Sequence, residues 1–156
     1  MLRKIEQGDR SLTPGVRAAL TRVLGPLSAA SGDVPPSRIA AVLPLLQHVM
    51  DCYDLPPDLT TAPRPLPELR HAVTTATQWR LASRYAELAG LLPSLIPELT
   101  AVATTSCGRE QERAWGLLAL AYRAADAIAD KHGHRDMSAR AVELTRWAAA
   151  RSGDPS

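Results

Sequence analysis

Three side chains that can bind metal lie close together in the sequence, at His132, His134 and Asp136. Imidazole and carboxylate groups are zinc ligands, but a structural zinc site requires four nitrogen or sulfur ligands. No cysteine lies nearby, and His71 is the one further histidine that could join the cluster. Gly133 also marks the end of a helix. We therefore interpret the cluster as a solvated turn between two helices and predict no metal site.

Two carboxylates, Asp126 and Asp130, lie four residues apart in a segment with strong helical periodicity. At that spacing they share one helix face, where their repulsion costs a few tenths of a kcal/mol. Arg123 and Lys131 are close enough in the sequence to compensate them. This pattern is typical of a solvent-exposed helix face, and contact of Asp126 with a ligand is the alternative.

Catalytic patterns are absent from the sequence. It contains no legible Ser-His-Asp or Cys-His arrangement, no glycine-rich phosphate loop and no HExxH helix. We therefore predict that the protein is not an enzyme and uses no cofactor, although groups that assemble only in space leave no such pattern.

Cysteine content and hydropathy indicate the cellular compartment. Cys52 and Cys107 lie far apart without paired spacing, which favours a reducing environment. No apolar run approaches the roughly 20 residues of a membrane span. The first ten residues also lack the apolar core of a signal peptide. These features predict a cytoplasmic protein that does not contact a membrane.

The composition favours helices. The chain has 156 residues, with 26 Ala, 22 Leu and no Phe. Ala and Leu are strong helix formers, whereas strands favour β-branched and aromatic residues. Small side chains also allow helices to approach each other closely. The composition therefore predicts an all-α fold.

Apolar periodicity and helix-ending residues locate the helices. Three prolines are expected to kink or interrupt the helices in which they lie, namely Pro44, Pro93 and Pro97. Asp136 is expected to cap the last helix. Five prolines between Asp54 and Pro67 predict an extended, semi-rigid connector. A short helix follows Thr13-Pro14, and the further helices are expected at about 37–53, 66–81, 84–103, 109–132 and 137–151.

The last four of these helices form two consecutive antiparallel hairpins. This arrangement is typical of a tetratricopeptide-like α-solenoid, although the repeat is longer than the usual ~34 residues. The large aromatic side chains are expected to anchor the hairpins, with Trp115 and Trp147 buried together. Alternatively, some of them line a surface that binds a peptide or small ligand. The candidates for that surface are Trp79, Tyr85, Tyr122 and Asp126.

Two parts of the chain resemble a known family. Residues 2–24 resemble the second half of a phage-repressor-type (XRE) helix-turn-helix domain, in which an Ile-Glu-x-Gly turn precedes a basic residue and a helix that starts at proline. Residues from about 53 to 93 and from 122 to 155 resemble the helical region behind that domain in actinobacterial regulators. The matching residues of the first segment are Ile5, Glu6, Gly8, Arg10 and Pro14, with Leu20 and Leu24 in core positions.

The resemblance implies three segments. Residues 1–25 would be a partial helix-turn-helix remnant, residues 26–65 a linker with one helix, and residues 66–156 the tetratricopeptide-like region. The first two helices of the DNA-binding domain would be missing, so the chain would be a middle section of a regulator. Residues 1–25 carry a net charge of +3 and the remaining residues −1, which limits any basic footprint to the first segment.

The resemblance also implies the function, which is regulation of transcription. Residual contacts with DNA phosphates would come from Arg3, Lys4 and Arg10, and specific DNA binding would need the complete domain. The helical region would sense a small-molecule or peptide effector or form a homodimer. The alternative is a free-standing helical module that binds a partner protein and never contacts DNA.

Overall fold

Five α-helices form the part of the chain that the computed structural model describes, residues 36–153, and this part contains no strand. The all-α prediction is therefore confirmed. The segment predicted as a helix-turn-helix remnant, with Arg3, Lys4 and Arg10, lies outside the described residues. The helices are α1 (Pro36–Asp51), α2 (Leu66–Leu81), α3 (Tyr85–Thr105), α4 (Gly108–Lys131) and α5 (Arg135–Ala149).

The ends of these helices lie within two residues of the predicted ones. The expected cap is different, however. His134 is the N-cap of α5 and makes no side-chain hydrogen bond there, while Asp136 lies in the first helical turn. The prediction that Asp136 caps α5 is therefore wrong. At its actual position the carboxylate can still interact favourably with the positive end of the helix dipole.

Three prolines lie inside helices without ending them, Pro44 in α1 and Pro93 and Pro97 in α3. Each removes a backbone hydrogen bond, at a cost of about 3 kcal/mol in a helix interior. Burial explains why α3 continues, because Leu92, Leu95 and Leu99 on this helix are all fully buried. In α3, tertiary packing therefore outweighs the tendency of proline to end a helix.

The core lies around α3 and α4, which pack against each other. α2 packs against both of them, and α5 packs against α4. α1 packs on α3 and also contacts α5. Alanines form much of the buried face of α4, including Ala114, Ala121 and Ala125, each fully buried. These small side chains allow neighbouring helices to pack closely along α4.

The same turn joins α2 to α3 and α4 to α5. In each turn, three successive amides donate to carbonyl oxygens four, three and five residues earlier. The middle residue of the three is Ser83 in one turn and Gly133 in the other, with φ of +57° and +76°. Glycine adopts this conformation freely, whereas serine adopts it at a small cost. The chain thus uses one hairpin geometry twice, at positions fifty residues apart.

Helix α3 is the one helix within residues 36–153 that is long and apolar enough to cross a membrane, judged by length and composition alone. Half of its most apolar window is buried inside the fold. The core helix of a soluble protein has the same properties, so this feature by itself does not identify a membrane span.

One residue assigned to an apolar face is exposed. The apolar spacing of residues 66–81 predicts a core-facing stripe of Leu69, Val73, Ala76 and Leu81. Leu81 is instead 72% exposed at the end of α2. The hairpin turn begins directly after it, so the chain leaves the core there. Leu45, Leu55 and Leu120 are also exposed.

Candidate functional site

A groove lies between the end of α1, the connector that follows it, and the second half of α3. Its volume is about 310 Å³, at the lower end of the range typical of small-molecule sites. We call it the α1–α3 groove. Its lining residues are His48, Val49, Cys52, Leu55, Pro56, Pro57, Asp58, Pro97 and Thr100.

Two polar side chains of the groove lie on adjacent turns of the same helical segment. Sγ of Cys52 is 3.9 Å from Nε2 of His48, a distance at which sulfur can take part in a hydrogen bond. His48 is exposed and Cys52 is half-buried. The four-residue spacing at the end of α1 places both side chains on one face. The α1–α3 groove therefore carries a thiol and a base side by side.

On the α3 side, the groove reaches Thr100, and the buried hydroxyl of Tyr122 lies near that residue without lining the groove. The Thr100 hydroxyl donates to the carbonyl oxygen of Ile96 at 2.9 Å. Tyr122 is fully buried, and its Oη has no hydrogen-bond partner among the residues that the structure describes. Burial raises the pKa of Tyr122 to about 12, and the nearby Thr100 hydroxyl opposes the shift only in part. The Tyr122 hydroxyl is therefore protonated at physiological pH.

The connector ends in a polar clasp on α3. The Arg64 guanidinium donates to both carboxylate oxygens of Glu98, at 2.8 Å from Nη2 and 2.9 Å from Nε, and the Arg64 backbone amide donates to the same carboxylate at 3.0 Å. The hydrogen bond from Arg64 lowers the pKa of Glu98, and the bond to Glu98 raises the pKa of Arg64. The clasp thus fixes the end of the connector against the helix that forms one wall of the groove.

An aromatic ladder connects the end of α1 to the α4–α5 hairpin. The rings of Tyr53 and Trp147 meet edge to face at 4.9 Å, and Trp147 meets Trp115 in the same way at 4.9 Å. The guanidinium of Arg140 lies 4.7 Å from the Tyr53 ring centre, and that of Arg151 lies 4.3 Å from the Trp147 ring centre. Such contacts are geometrically specific, so the ladder fixes the end of α1, which forms one side of the groove.

The four residues expected on a binding surface do not form one site. Tyr122 is fully buried, so the prediction that it lies on a binding surface is wrong. The face of α4 that carries Tyr122 packs in the core. Asp126 accepts a hydrogen bond from the Ser138 hydroxyl at 2.5 Å across the α4–α5 hairpin. This bond gives Asp126 a structural partner.

Trp79 and Tyr85 are half-buried beside the α2–α3 turn. The Arg84 guanidinium lies 5.5 Å from the Trp79 ring centre, and the Tyr85 ring meets His132 at 6.4 Å. The second contact places the two hairpin turns at the same end of the helices. These two aromatic residues remain accessible there but are separate from the α1–α3 groove.

The cluster of His132, His134 and Asp136 lies at the α4–α5 turn, where all three residues are exposed. Within the described part of the chain, no group of three or more His, Cys, Asp or Glu side chains is placed to hold a metal ion.

A second depression, of about 450 Å³, lies between the first half of α1 and the start of α3. Arg38 and Glu87 are its charged residues, and alanine and glycine line much of the rest. It contains no nucleophile and no hydroxyl group. The α1–α3 groove offers more chemistry and is the stronger candidate.

Sequence reasoning missed the α1–α3 groove. The spacing of His48 and Cys52 was a usable signal, because it places a thiol and an imidazole on one face at a helix end. No local pattern linked them to Pro97 and Thr100 on a distant helix. Comparisons with protein-family models, curated protein sequences and solved structures find no match to this chain.

Proposed function

We propose that the chain is the helical regulatory region of an XRE-type transcription regulator, built as a tetratricopeptide-like stack. The observation that carries the proposal is the recurring hairpin turn, together with the packing of α2 on α4 as well as on α3. In a helical solenoid, each hairpin packs on the next in this manner, and such stacks serve as binding surfaces. The resemblance of residues 2–24 to a helix-turn-helix segment supports the regulatory role.

The mechanism follows from the position of the α1–α3 groove. α1 is the first described helix after the helix-turn-helix-like segment, and it forms one side of the groove. An effector that binds between α1 and α3 favours one arrangement of α1 over others. A ligand shifts such an equilibrium only through its different affinity for the two states. The groove would in this way connect effector binding to the segment that precedes α1.

The alternative function is a free-standing helical interaction module that does not contact DNA. The charge distribution favours it, since residues 26–156 carry a net charge of −1 and no basic stripe. The two functions differ in the role of Arg3, Lys4 and Arg10.

DNA binding distinguishes the two functions. We expect the full chain to bind duplex DNA weakly and without sequence preference, with a Kd of ~1 µM to ~0.1 mM and steep salt dependence. Replacing Arg3, Lys4 and Arg10 together with glutamine should weaken this binding about tenfold. Fluorescence anisotropy with labelled duplexes at several salt concentrations provides the measurement.

The matched control replaces three exposed arginines of the helical region, Arg109, Arg113 and Arg135, with glutamine. Both triple variants change the net charge equally. A loss confined to the first variant supports the regulator. Equal losses, or no binding by the parent protein at low salt, favour the interaction module instead.

Assembly is the second part of the proposal. The outer side of α5 exposes Ala139 and Ala149 beside Arg146, so it is only partly polar. At the end of the described stack, an outer face that is only partly polar leaves apolar surface uncovered. We expect two copies to pack through this end, most simply with twofold symmetry. Light scattering coupled to gel filtration should give twice the 16.8 kDa of one chain. A single-chain mass at low micromolar concentration would contradict the dimer.

A further inference from the structure

The α1–α3 groove places a nucleophile against apolar walls. Cys52 is half-buried, and its sulfur lies 3.9 Å from the His48 imidazole. Leu55, Pro57 and Pro97 form apolar walls beside them. Cys107 provides a contrast within the same chain, because it is exposed at the start of α4 and has no place in the groove.

The combination indicates a class of ligand. A thiol becomes nucleophilic as its thiolate, and a neighbouring histidine can accept the proton. A groove of about 310 Å³ whose walls are mostly apolar favours small, mainly apolar molecules. We propose that the α1–α3 groove covalently captures small apolar α,β-unsaturated carbonyl compounds at Cys52. This inference rests on the proposed function of the groove as the effector site.

The chemistry requires no further reactant. His48 accepts the Cys52 proton, and the thiolate sulfur forms a bond to the β-carbon of the unsaturated carbonyl compound. The carbon–carbon π bond breaks and its electron pair moves towards the carbonyl, which gives an enolate. The His48 imidazolium then returns a proton to the α-carbon. The product is a saturated thioether in which no atom has been lost and no external oxidant or reductant consumed.

The adduct would act on the position of α1. Cys52 directly follows α1, whereas Pro97 and Thr100 on the opposite wall belong to α3. A group attached to the Cys52 sulfur occupies the space between these walls. The covalent bond would keep the groove filled after the free compound has disappeared, so the response would outlast the stimulus.

The test compares the two cysteines of the intact protein with two reagents. One reagent is 2-cyclohexen-1-one, which is an apolar enone, and the other is iodoacetamide, which is small and polar. Peptide mapping by mass spectrometry over time gives a modification rate for each cysteine. Accessibility alone predicts faster reaction at Cys107, because Cys107 is exposed and Cys52 is half-buried. We expect the enone to modify Cys52 about tenfold faster than Cys107, and iodoacetamide not to show this preference.

The control variant is His48→Gln, which keeps a polar side chain at this position. It should reduce the rate at Cys52 about tenfold and leave the rate at Cys107 unchanged, while circular dichroism confirms an intact helical fold. Faster enone labelling at Cys107, or an unchanged Cys52 rate in this variant, would overturn the proposal. These readouts require neither DNA nor a second copy. If the Cys52 labelling prediction fails, the predictions on DNA binding and dimerisation are therefore unaffected. If those two predictions fail, the labelling prediction is equally unaffected.

Discussion

Replacing Trp115 with alanine is expected to lower the free energy of unfolding by about 3–5 kcal/mol. The side chain is only 7% exposed, and its ring meets Trp147 edge to face within the α4–α5 hairpin. Truncation leaves a large cavity and removes one end of the aromatic ladder. The loss is a substantial part of the ~5–15 kcal/mol of a typical domain. Chemical denaturation followed by circular dichroism measures it.

Trp79→Ala is the matched control, because Trp79 is half-buried at the opposite end of the helices. Its loss should cost about 1 kcal/mol. If both variants lost the same free energy of unfolding, burial in the α4–α5 hairpin would not be the reason for the loss. A Trp115 variant as stable as its parent would show that the ladder lies at the periphery of the fold. Trp147 itself is half-buried and packs on Trp115 and the core, so the prediction that both rings are largely buried within one hairpin is correct, most fully for Trp115.

Replacing Glu98 with alanine should destabilise the protein by about 1.5–3 kcal/mol, since hydrogen bonds to charged groups contribute that much. The carboxylate side chain is 16% exposed and accepts from both the side chain and the backbone of Arg64. Glu87→Ala is the control, because it removes a similar contact with Arg84 in which the side chains are 53% and 31% exposed. A surface pair of this kind contributes at most about 1 kcal/mol.

The Glu98 effect should depend on pH in a defined direction. The pKa of Glu98 is lowered in the folded protein, so the carboxylate contributes its full stability above the unfolded pKa of about 4.3. That contribution is lost as the pH falls through the lower folded value. The difference between parent and Glu98→Ala should be constant from pH 7 to about pH 5 and should narrow below about pH 4. A constant difference down to pH 3 would show that the charge of Glu98 contributes nothing.

Local patterns were enough to predict the helices. Apolar residues on α4 recur at three- and four-residue steps, among them Trp115, Leu118 and Tyr122, and all three are buried. Gly133 marked the end of that helix correctly, because its positive φ suits a helix-ending turn. The same reasoning failed for Asp136. Aspartate is a favourable N-cap residue, but the N-cap of α5 is His134, two residues earlier.

The site depends on contacts between distant segments, which periodicity does not report. Arg64 and Glu98 lie 34 residues apart, and neither occupies a position that local sequence makes distinctive. The α1–α3 groove likewise joins the end of α1 to Pro97 and Thr100. A proline at position 97 predicts an interruption of the helix, whereas Pro97 lies within α3 and forms part of the groove wall. The spacing of apolar residues places Tyr122 on the apolar face of α4. It does not show whether that face packs in the core or contacts a ligand.

The position of α1 has a consequence for the way the molecule unfolds. In a stack of hairpins that contact only their neighbours, stability is a sum of local contributions, and the ends can fray independently. α1 contacts both α3 and α5, which belong to different hairpins, and the aromatic ladder strengthens the second contact. Separating the hairpins therefore also disrupts the contacts of α1. Together with the packing of α2 and α3 on α4, this helix couples the two hairpins, so residues 36–153 should lose their structure in one transition rather than hairpin by hairpin.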